Sequence, residues 1–268
     1  MPENKLISEI DNLPVRKSGL WIKKKHYYLT EYAKIFTTGM GKKWSKLTYI
    51  DFFAGPGRCF VESGQEEMDG SPLLMLQYDF YHYIFVEKDI NIMQALQKRC
   101  QDSPKVKNIA FLNADCHETI DQVIQKIPSQ SLSLAFIDPT DINIPFTTIE
   151  NLSKTPHGVD LIINIQLGID MKRNFELYKS QGDKSKLGRF LGENINWSEL
   201  KDTVDVIKCY KERIGNLGYS TVEFKDISIH NTKKAEMYFL MFASKNPRGL
   251  DFWRKITRKD HQGQQELF

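Results

Sequence analysis

Lys46-Leu47-Thr48-Tyr49-Ile50-Asp51-Phe52-Phe53-Ala54-Gly55-Pro56-Gly57-Arg58 reads as a buried strand running into a turn with almost no side-chain bulk. Residues 47–53 are apolar apart from Thr48 and the acid near the end, as in a strand covered on both faces. Gly55 and Gly57 can take positive φ, and the small residues around them let backbone N–H groups approach a ligand. A strand, a carboxylate near its end and a glycine turn form half of a nucleotide-type site. The same residues also suit a plain tight turn after a core strand, so the spacing of the downstream strands and acids decides.

Four more apolar runs of strand length come after it, at 83–87, 109–112, 132–137 and 159–165. Helical spacing fills 72–82, 89–99 and 119–127 between them, the first opened by Ser71 as a cap and Pro72 in the first turn. Acids stand at or just beyond four strand ends: Asp51, Glu87, Asp115 and Asp138. Alternating strands and helices imply right-handed crossovers and a parallel sheet covered on both faces. The carboxyl edge of such a sheet is where ligands bind.

Upstream, Ser18 is placed to cap a helix reaching about residue 36, with Trp21, Tyr28, Leu29, Tyr32, Ile35 and Phe36 on one stripe. Lys23-Lys24-Lys25-His26 at its start reads as a solvated face, with a nucleic-acid surface as the alternative. Residues 58–70 form a polar insertion, acidic in the middle. Residues 168–217 break the strand–helix rhythm. With helices expected at 171–179 and 197–214, they form a helical cap too short to bury a core alone. Two β-rich runs, 218–229 and 235–244, are joined by the turn His230-Asn231-Thr232-Lys233, which makes one sheet edge antiparallel. A short helix carrying Phe252, Trp253 and Ile256 then docks. The expected division is 1–46 N-terminal helical segment, 47–167 α/β core, 168–217 helical insertion, 218–256 hairpin and short helix, and 257–268 frayed tail.

The chain has 268 residues, enough for one large domain or a domain with an insertion. Its 41% hydrophobic and 26% charged residues fit a folded chain and exclude disorder as the default. No apolar run approaches the ~20 residues that span a bilayer, and the N-terminus lacks a signal-peptide core, so no membrane and a cytoplasmic location are expected. Four scattered cysteines without C-x-x-C argue against a zinc knuckle or a disulfide framework. A net charge of +3 is weak evidence for a polyanionic partner.

The glycine turn after the first strand, the acid after the second and the terminal hairpin resemble the Rossmann-like class I S-adenosylmethionine-dependent methyltransferase fold. The G-x-G-x-x-G of dinucleotide sites is missing, because Gly55-Pro56-Gly57 leads into a loop and places no helix N-terminus for a pyrophosphate. More narrowly, the chain is similar to the three-Cys-motif partner proteins. The stretches that carry this are Tyr49-Ile50-Asp51-Phe52-Phe53-Ala54-Gly55-Pro56-Gly57-Arg58, Gly70-Ser71-Pro72-Leu73, Phe85-Val86-Glu87-Lys88-Asp89, Phe136-Ile137-Asp138-Pro139 and Tyr238-Phe239-Leu240-Met241-Phe242-Ala243-Ser244-Lys245. The resemblance spans about residues 21–256. It implies S-adenosylmethionine as cofactor, a companion protein with three clustered cysteines and, through fold-level relatives acting on rRNA, a nucleic-acid substrate. The family continues Asp-Pro with an aromatic and a glycine, whereas Thr140-Asp141 stand here, and Phe146 is the aromatic nearest in sequence that can replace it.

On that reading Ala54, Gly55 and Gly57 cradle the cofactor, and Asp51 meets the amino group of its methionine portion or orders its own turn. Glu87 takes the ribose hydroxyls, and Asp115 accepts from the adenine amino group or caps the following helix. Asp138, held by Pro139, faces the reacting centre or caps the turn toward Asn143. Thr140, Asp141 and Phe146 are candidates on the acceptor side. Cys116 and His117 look like a nucleophile and base but have no acyl-transfer framework around them. No metal set is evident. Two other functions stay open: a catalytically silent partner module, and a nuclease or nucleotide hydrolase with a metal on Asp138 and Asp141.

Overall fold

The computed structural model describes residues 6–62, 64–167, 169–226 and 238–259. In chain order the elements are β1 (Arg16–Ser18), α1 (Trp21–Met40), β2 (Lys46–Asp51), β3 (Arg58–Val61), β4 (Glu66–Asp69), α2 (Ser71–Met75), β5 (His82–Val86), α3 (Ile90–Cys100), β6 (Ile109–Leu112) and α4 (Ile120–Lys126). The chain continues through β7 (Ser131–Ile137), α5 (Phe146–Ser153), β8 (Val159–Gln166), α6 (Ile169–Gln181), α7 (Lys186–Leu191), α8 (Thr203–Asn216), β9 (Thr221–Asp226), β10 (Tyr238–Ser244) and α9 (Pro247–Thr257).

A seven-stranded sheet runs in the order β6-β5-β2-β7-β8-β10-β9. β2 lies inside the sheet beside the middle strand β7, with Ile50 opposite Ile84 on one side and Ala135 on the other, both parallel. β10 is antiparallel to both β8 and β9. This is the mostly parallel, Rossmann-like arrangement of the class I methyltransferase fold that the sequence leads one to expect. Side chains alternate between the faces. Ile50, Ile84, Ala135, Leu161 and Met241 point to one apolar cluster, and Tyr49, Phe85, Leu134, Ile162 and Phe242 to the other. Met171, Leu187, Phe190, Val206 and Tyr210 from 168–217 join the first cluster, and Phe190 stacks on Tyr210 at 4.2 Å. Across the sheet, Phe242 stacks on Trp253 of α9 at 5.0 Å. Among the described residues no helix is long and apolar enough to cross a membrane.

Several local expectations need correction. Ser18 caps nothing: it lies in β1, and α1 starts at Trp21 with no side-chain cap. The helix expected over 72–82 is one short turn, α2, because His82 already belongs to β5; Gly70, not Ser71, is its N-cap. Helix α8 starts at Thr203 rather than 197, with Asp202 accepting from the Val204 and Asp205 N–H groups. Helix α5 stands where the sequence reading places no helix. The turn with His230, the starts and ends of the hairpin at 227–237, and the tail at 260–268 lie outside the described residues.

The largest departure is at the N-terminus. The polar insertion at 58–70 forms the hairpin β3–β4, which the sequence reading left without assigned structure, and β1 adds to it in parallel, with Arg16 opposite Cys59. The acids of that insertion find their partners within the chain. Glu67 accepts from Ser8 Oγ at 2.6 Å and the Glu9 N–H at 2.8 Å, and Glu62 pairs with Lys17 and Glu66 with Lys23, both at 2.5 Å. Arg99, its side chain 4% exposed, clasps this N-terminal strap to the glycine turn. It makes a two-pronged contact with Asp11 at 2.8 Å per prong and donates to the carbonyls of Pro14 (2.7 Å) and Pro56 (2.6 Å). Hydrogen bonding to Arg99 holds the Asp11 carboxyl down at about 2. A lysine has no planar fork with which to reproduce this. Arg99→Lys is therefore expected to cost about 1–2 kcal/mol in urea unfolding and to speed proteolysis of the strap. Unchanged stability and cleavage would show that the clasp is incidental.

Candidate functional site

The carboxyl edge of β2, β5, β6 and β7 opens onto a cavity of about 530 Å³, within the range of small-molecule sites. A small annex of about 20 Å³, room for roughly one water, lies under the glycine turn. Of the residues expected at the site, Gly55, Glu87, Asp115 and Thr140 line the large cavity. Ala54, Gly57, Asp138 and again Gly55 line the annex. Asp51, Pro139, Asp141 and Phe146 line neither.

The turn itself is built from backbone. Gly55 and Gly57 have φ of +62° and +88°. A Cβ on Gly55 would project into open space beside Arg16, with nothing nearer than 3.9 Å, whereas one on Gly57 would strike Leu96 at 3.0 Å. Gly55 thus leaves room for a ligand and Gly57 for packing. Glu87, at the end of β5, braces the turn: one carboxylate oxygen accepts from the Gly55 N–H at 3.1 Å, the other from the Asp89 N–H at 2.9 Å. Each oxygen keeps a further lone pair directed elsewhere, so the carboxylate still has capacity for a diol.

Asp115 accepts from the His117 N–H at 3.1 Å and from Lys88 Nζ at 3.1 Å. Burial works to raise its carboxyl, and these partners overcome it, leaving it below the usual range. His117 lies against the carbonyl of Asn143 (Nε2, 3.2 Å) and the hydroxyl of Thr148 (Nδ1, 3.1 Å). A carbonyl can only accept, so Nε2 donates to Asn143; burial lowers the pKa of the ring and favours its neutral form, in which Nδ1 accepts from Thr148. Burial pushes the Cys116 thiol up to about 12, which rules it out as a ready nucleophile.

Asp138 is the most altered of the expected residues. It is buried, accepting from Lys25 Nζ at 2.5 Å on one oxygen and from Asn164 Nδ2 at 2.7 Å on the other. Burial opposes ionisation, but the Lys25 and Arg16 charges and these hydrogen bonds hold the carboxyl below its ordinary value. Lys25 and His26 are therefore interior groups at 5% exposure each, not the solvated face expected from the lysine run. The turn toward Asn143 is capped by Asp141, which accepts the Asn143 N–H at 2.6 Å and pairs with Lys186 of α7 at 2.9 Å. Phe146 turns into the cap, edge-on to Tyr210 at 6.0 Å and beneath Arg213. Each acid of Asp138 and Asp141 is matched to its own lysine. Among the described residues the one group of three or more side chains with metal-ligating spacing is Asp115, Cys116 and His117.

Asp51 faces the interior and accepts from Tyr49 Oη at 3.1 Å and the Phe53 N–H at 3.3 Å. Burial raises its carboxyl from the ordinary 3.8 to about 6. The stability gained by protonating it is complete below about pH 4 and is lost as pH rises through about 6. Such a shift is worth roughly 3 kcal/mol. The stability of the wild type minus that of Asp51→Asn should grow by about that much between pH 7 and pH 4 in urea unfolding. Parallel pH profiles would place Asp51 in contact with water.

Sequence reasoning did not foresee Val15 and Arg16 as cavity walls, because nothing in a three-residue strand signals its partner. No protein-family model and no curated protein sequence matches the chain. Among solved structures, it is similar to a Legionella pneumophila protein, LPL1258, of family DUF519 (TM-score 0.57, 13% identity, 92% of this chain and 95% of that one). Looser likenesses include the methyltransferase domain of a bacterial Hen1 protein (0.43, 10%, 81% and 99%). Another is the O-methyltransferase TomG from Streptomyces achromogenes, involved in tomaymycin synthesis and solved with S-adenosylmethionine (0.46, 9%, 82% and 78%). The first likeness shows the shared fold and no more; the other two overlap too loosely to add to it.

Proposed function

We propose that the chain is an S-adenosylmethionine-dependent methyltransferase, cytoplasmic, acting on a nucleic acid or a nucleic-acid-associated substrate. The observation that carries this reading is the cavity at the carboxyl edge, where Glu87 spans from β5 to the glycine turn after its neighbour β2. The remaining lone pairs of Glu87 suit two vicinal hydroxyls, Asp115 suits an exocyclic amine, and Gly55 leaves the space a side chain would fill. The cofactor supplies an electrophilic sulfonium methyl; the chain orients it and shapes the approach of the acceptor. Thr140 and Asn143 line the acceptor side, and the cap brings Arg189 near His117 on the same edge, where a phosphate backbone would be attracted. The resemblance to three-Cys-motif partner proteins adds a companion protein to this proposal.

A second reading, a silent module that binds cofactor without turnover, is favoured by one observation: both Asp138 oxygens are engaged inside the protein. Calorimetric titration with S-adenosylmethionine and S-adenosylhomocysteine, with and without Mg²⁺, tests the cofactor. Binding that needs no metal and falls by a decade or more in Glu87→Ala is the expected result. No binding would sink both readings. Methyl incorporation into RNA, DNA or ribonucleoprotein then separates them. Because Asp138→Asn alone would strand the buried Lys25 ammonium, the role of Asp138 is read in the charge-free Lys25→Met/Asp138→Asn double variant, which should lower turnover by an order of magnitude or more while still binding the cofactor. A wild type that methylates nothing leaves the silent module.

A further inference from the structure

Arg16 is a half-buried guanidinium. β1 sets it against the glycine turn by register with Cys59, and it lines both the large cavity and the annex. Its Cδ and one terminal nitrogen lie 3.9 Å from where a Cβ on Gly55 would stand. Among the described residues no carboxylate or carbonyl accepts from it. The acid that feels its charge, Asp138, already uses its oxygens for Lys25 and Asn164, and Glu87 is braced by backbone N–H groups. Five N–H donors on a cavity wall, without an acceptor among the described residues, are poised for a bound anion.

A second orphan points to the same place. His26 is buried, lines the annex, and its Nδ1 has no hydrogen-bond partner among the described residues. The cavity is also bipolar. Glu87 and the Lys88-paired Asp115 stand at the β5–β6 end, and Arg16 stands at the glycine turn, where the charge of Lys25 is already matched by Asp138. The ligand that satisfies both ends is a nucleoside carrying an amino acid, with its diol toward Glu87 and its carboxylate toward the turn.

We propose that Arg16, delivered by the N-terminal strap, binds the α-carboxylate of the cofactor's amino-acid half and so sets the cofactor's direction in the cavity. This rests on the cofactor reading given above and extends it to a residue outside the α/β core. The strap is then part of the binding site, and the Arg99 clasp on Asp11 and Pro56 keeps the guanidinium in register.

The test compares three probes by calorimetry on the full chain: S-adenosylmethionine, its decarboxylated form, and 5′-methylthioadenosine, which lacks the amino-acid half. The wild type should prefer S-adenosylmethionine over the decarboxylated form by roughly 10- to 100-fold, the range of one or two charge-assisted hydrogen bonds. Arg16→Gln should lose that preference while binding 5′-methylthioadenosine as the wild type does, and Arg16→Lys should keep part of it. A preference that survives in Arg16→Gln assigns the carboxylate to another group and overturns the proposal. Equal loss for all three probes makes Arg16 a structural strut and overturns it too. If the wild type binds 5′-methylthioadenosine but ignores the carboxylate, the cofactor reading stands and Arg16 falls; if it binds none of the three, both fall.

Discussion

Lys25→Met is expected to destabilise the protein by about 3–5 kcal/mol at neutral pH, because it strands the buried Asp138 carboxylate. The side chains of the pair are 6% and 10% exposed, so water cannot replace the lost ammonium. In the wild type, the depressed Asp138 carboxyl contributes stability that is present above its unfolded value near 4 and is lost as pH falls through its lower folded value. Without Lys25, burial becomes the dominant influence and pushes the carboxyl up. The sign then reverses: the variant gains stability as the group takes a proton, and the gap to the wild type narrows as pH falls from 7 toward 4. Adding Asp138→Asn to Lys25→Met should recover much of the loss, since a neutral amide still accepts from Asn164 and leaves no buried charge. Urea unfolding of the two single variants and the double variant, at pH 7 and pH 4.5, measures all of this. A cost under about 1 kcal/mol with no dependence on pH would mean that the pair is hydrated and the annex open.

Gly55→Val is expected to abolish cofactor binding, with a loss of at least about 100-fold, while costing the fold only about 1–2 kcal/mol. Two effects combine. At φ +62° a β-branched side chain is strained, and its methyl groups enter the space between the turn and Arg16. The surrounding packing is little disturbed, because a Cβ here meets nothing closer than 3.9 Å. Gly57→Val makes the contrast. There the Cβ strikes Leu96 at 3.0 Å and Leu73 at 3.3 Å, so stability suffers first. Titration with S-adenosylhomocysteine alongside urea unfolding reads the two losses separately. Affinity within threefold of the wild type in a folded Gly55→Val protein would move the cofactor away from the turn.

Strand β2, the glycine turn, the acids at the strand ends and the parallel sheet were legible in the sequence because they are local or periodic. An apolar run bounded by small residues makes a covered strand whatever surrounds it, and alternation with helices leaves few topologies. Glu87 could be placed for the same reason: the end of a strand next to β2 must lie beside the turn after β2. What the tertiary structure alone decided depends on contacts between residues far apart in the chain. Lys25 was one lysine of a run until α1 turned it inward to Asp138, 113 positions away. Phe146 was a free aromatic until the cap presented Tyr210 and Arg213 to it. Arg16 became a cavity wall only because β1 found β3, and no periodicity in three residues encodes a partner. Burial of a charge is decided by where its counter-charge arrives, and that is a property of the assembled fold rather than of any stretch of its sequence.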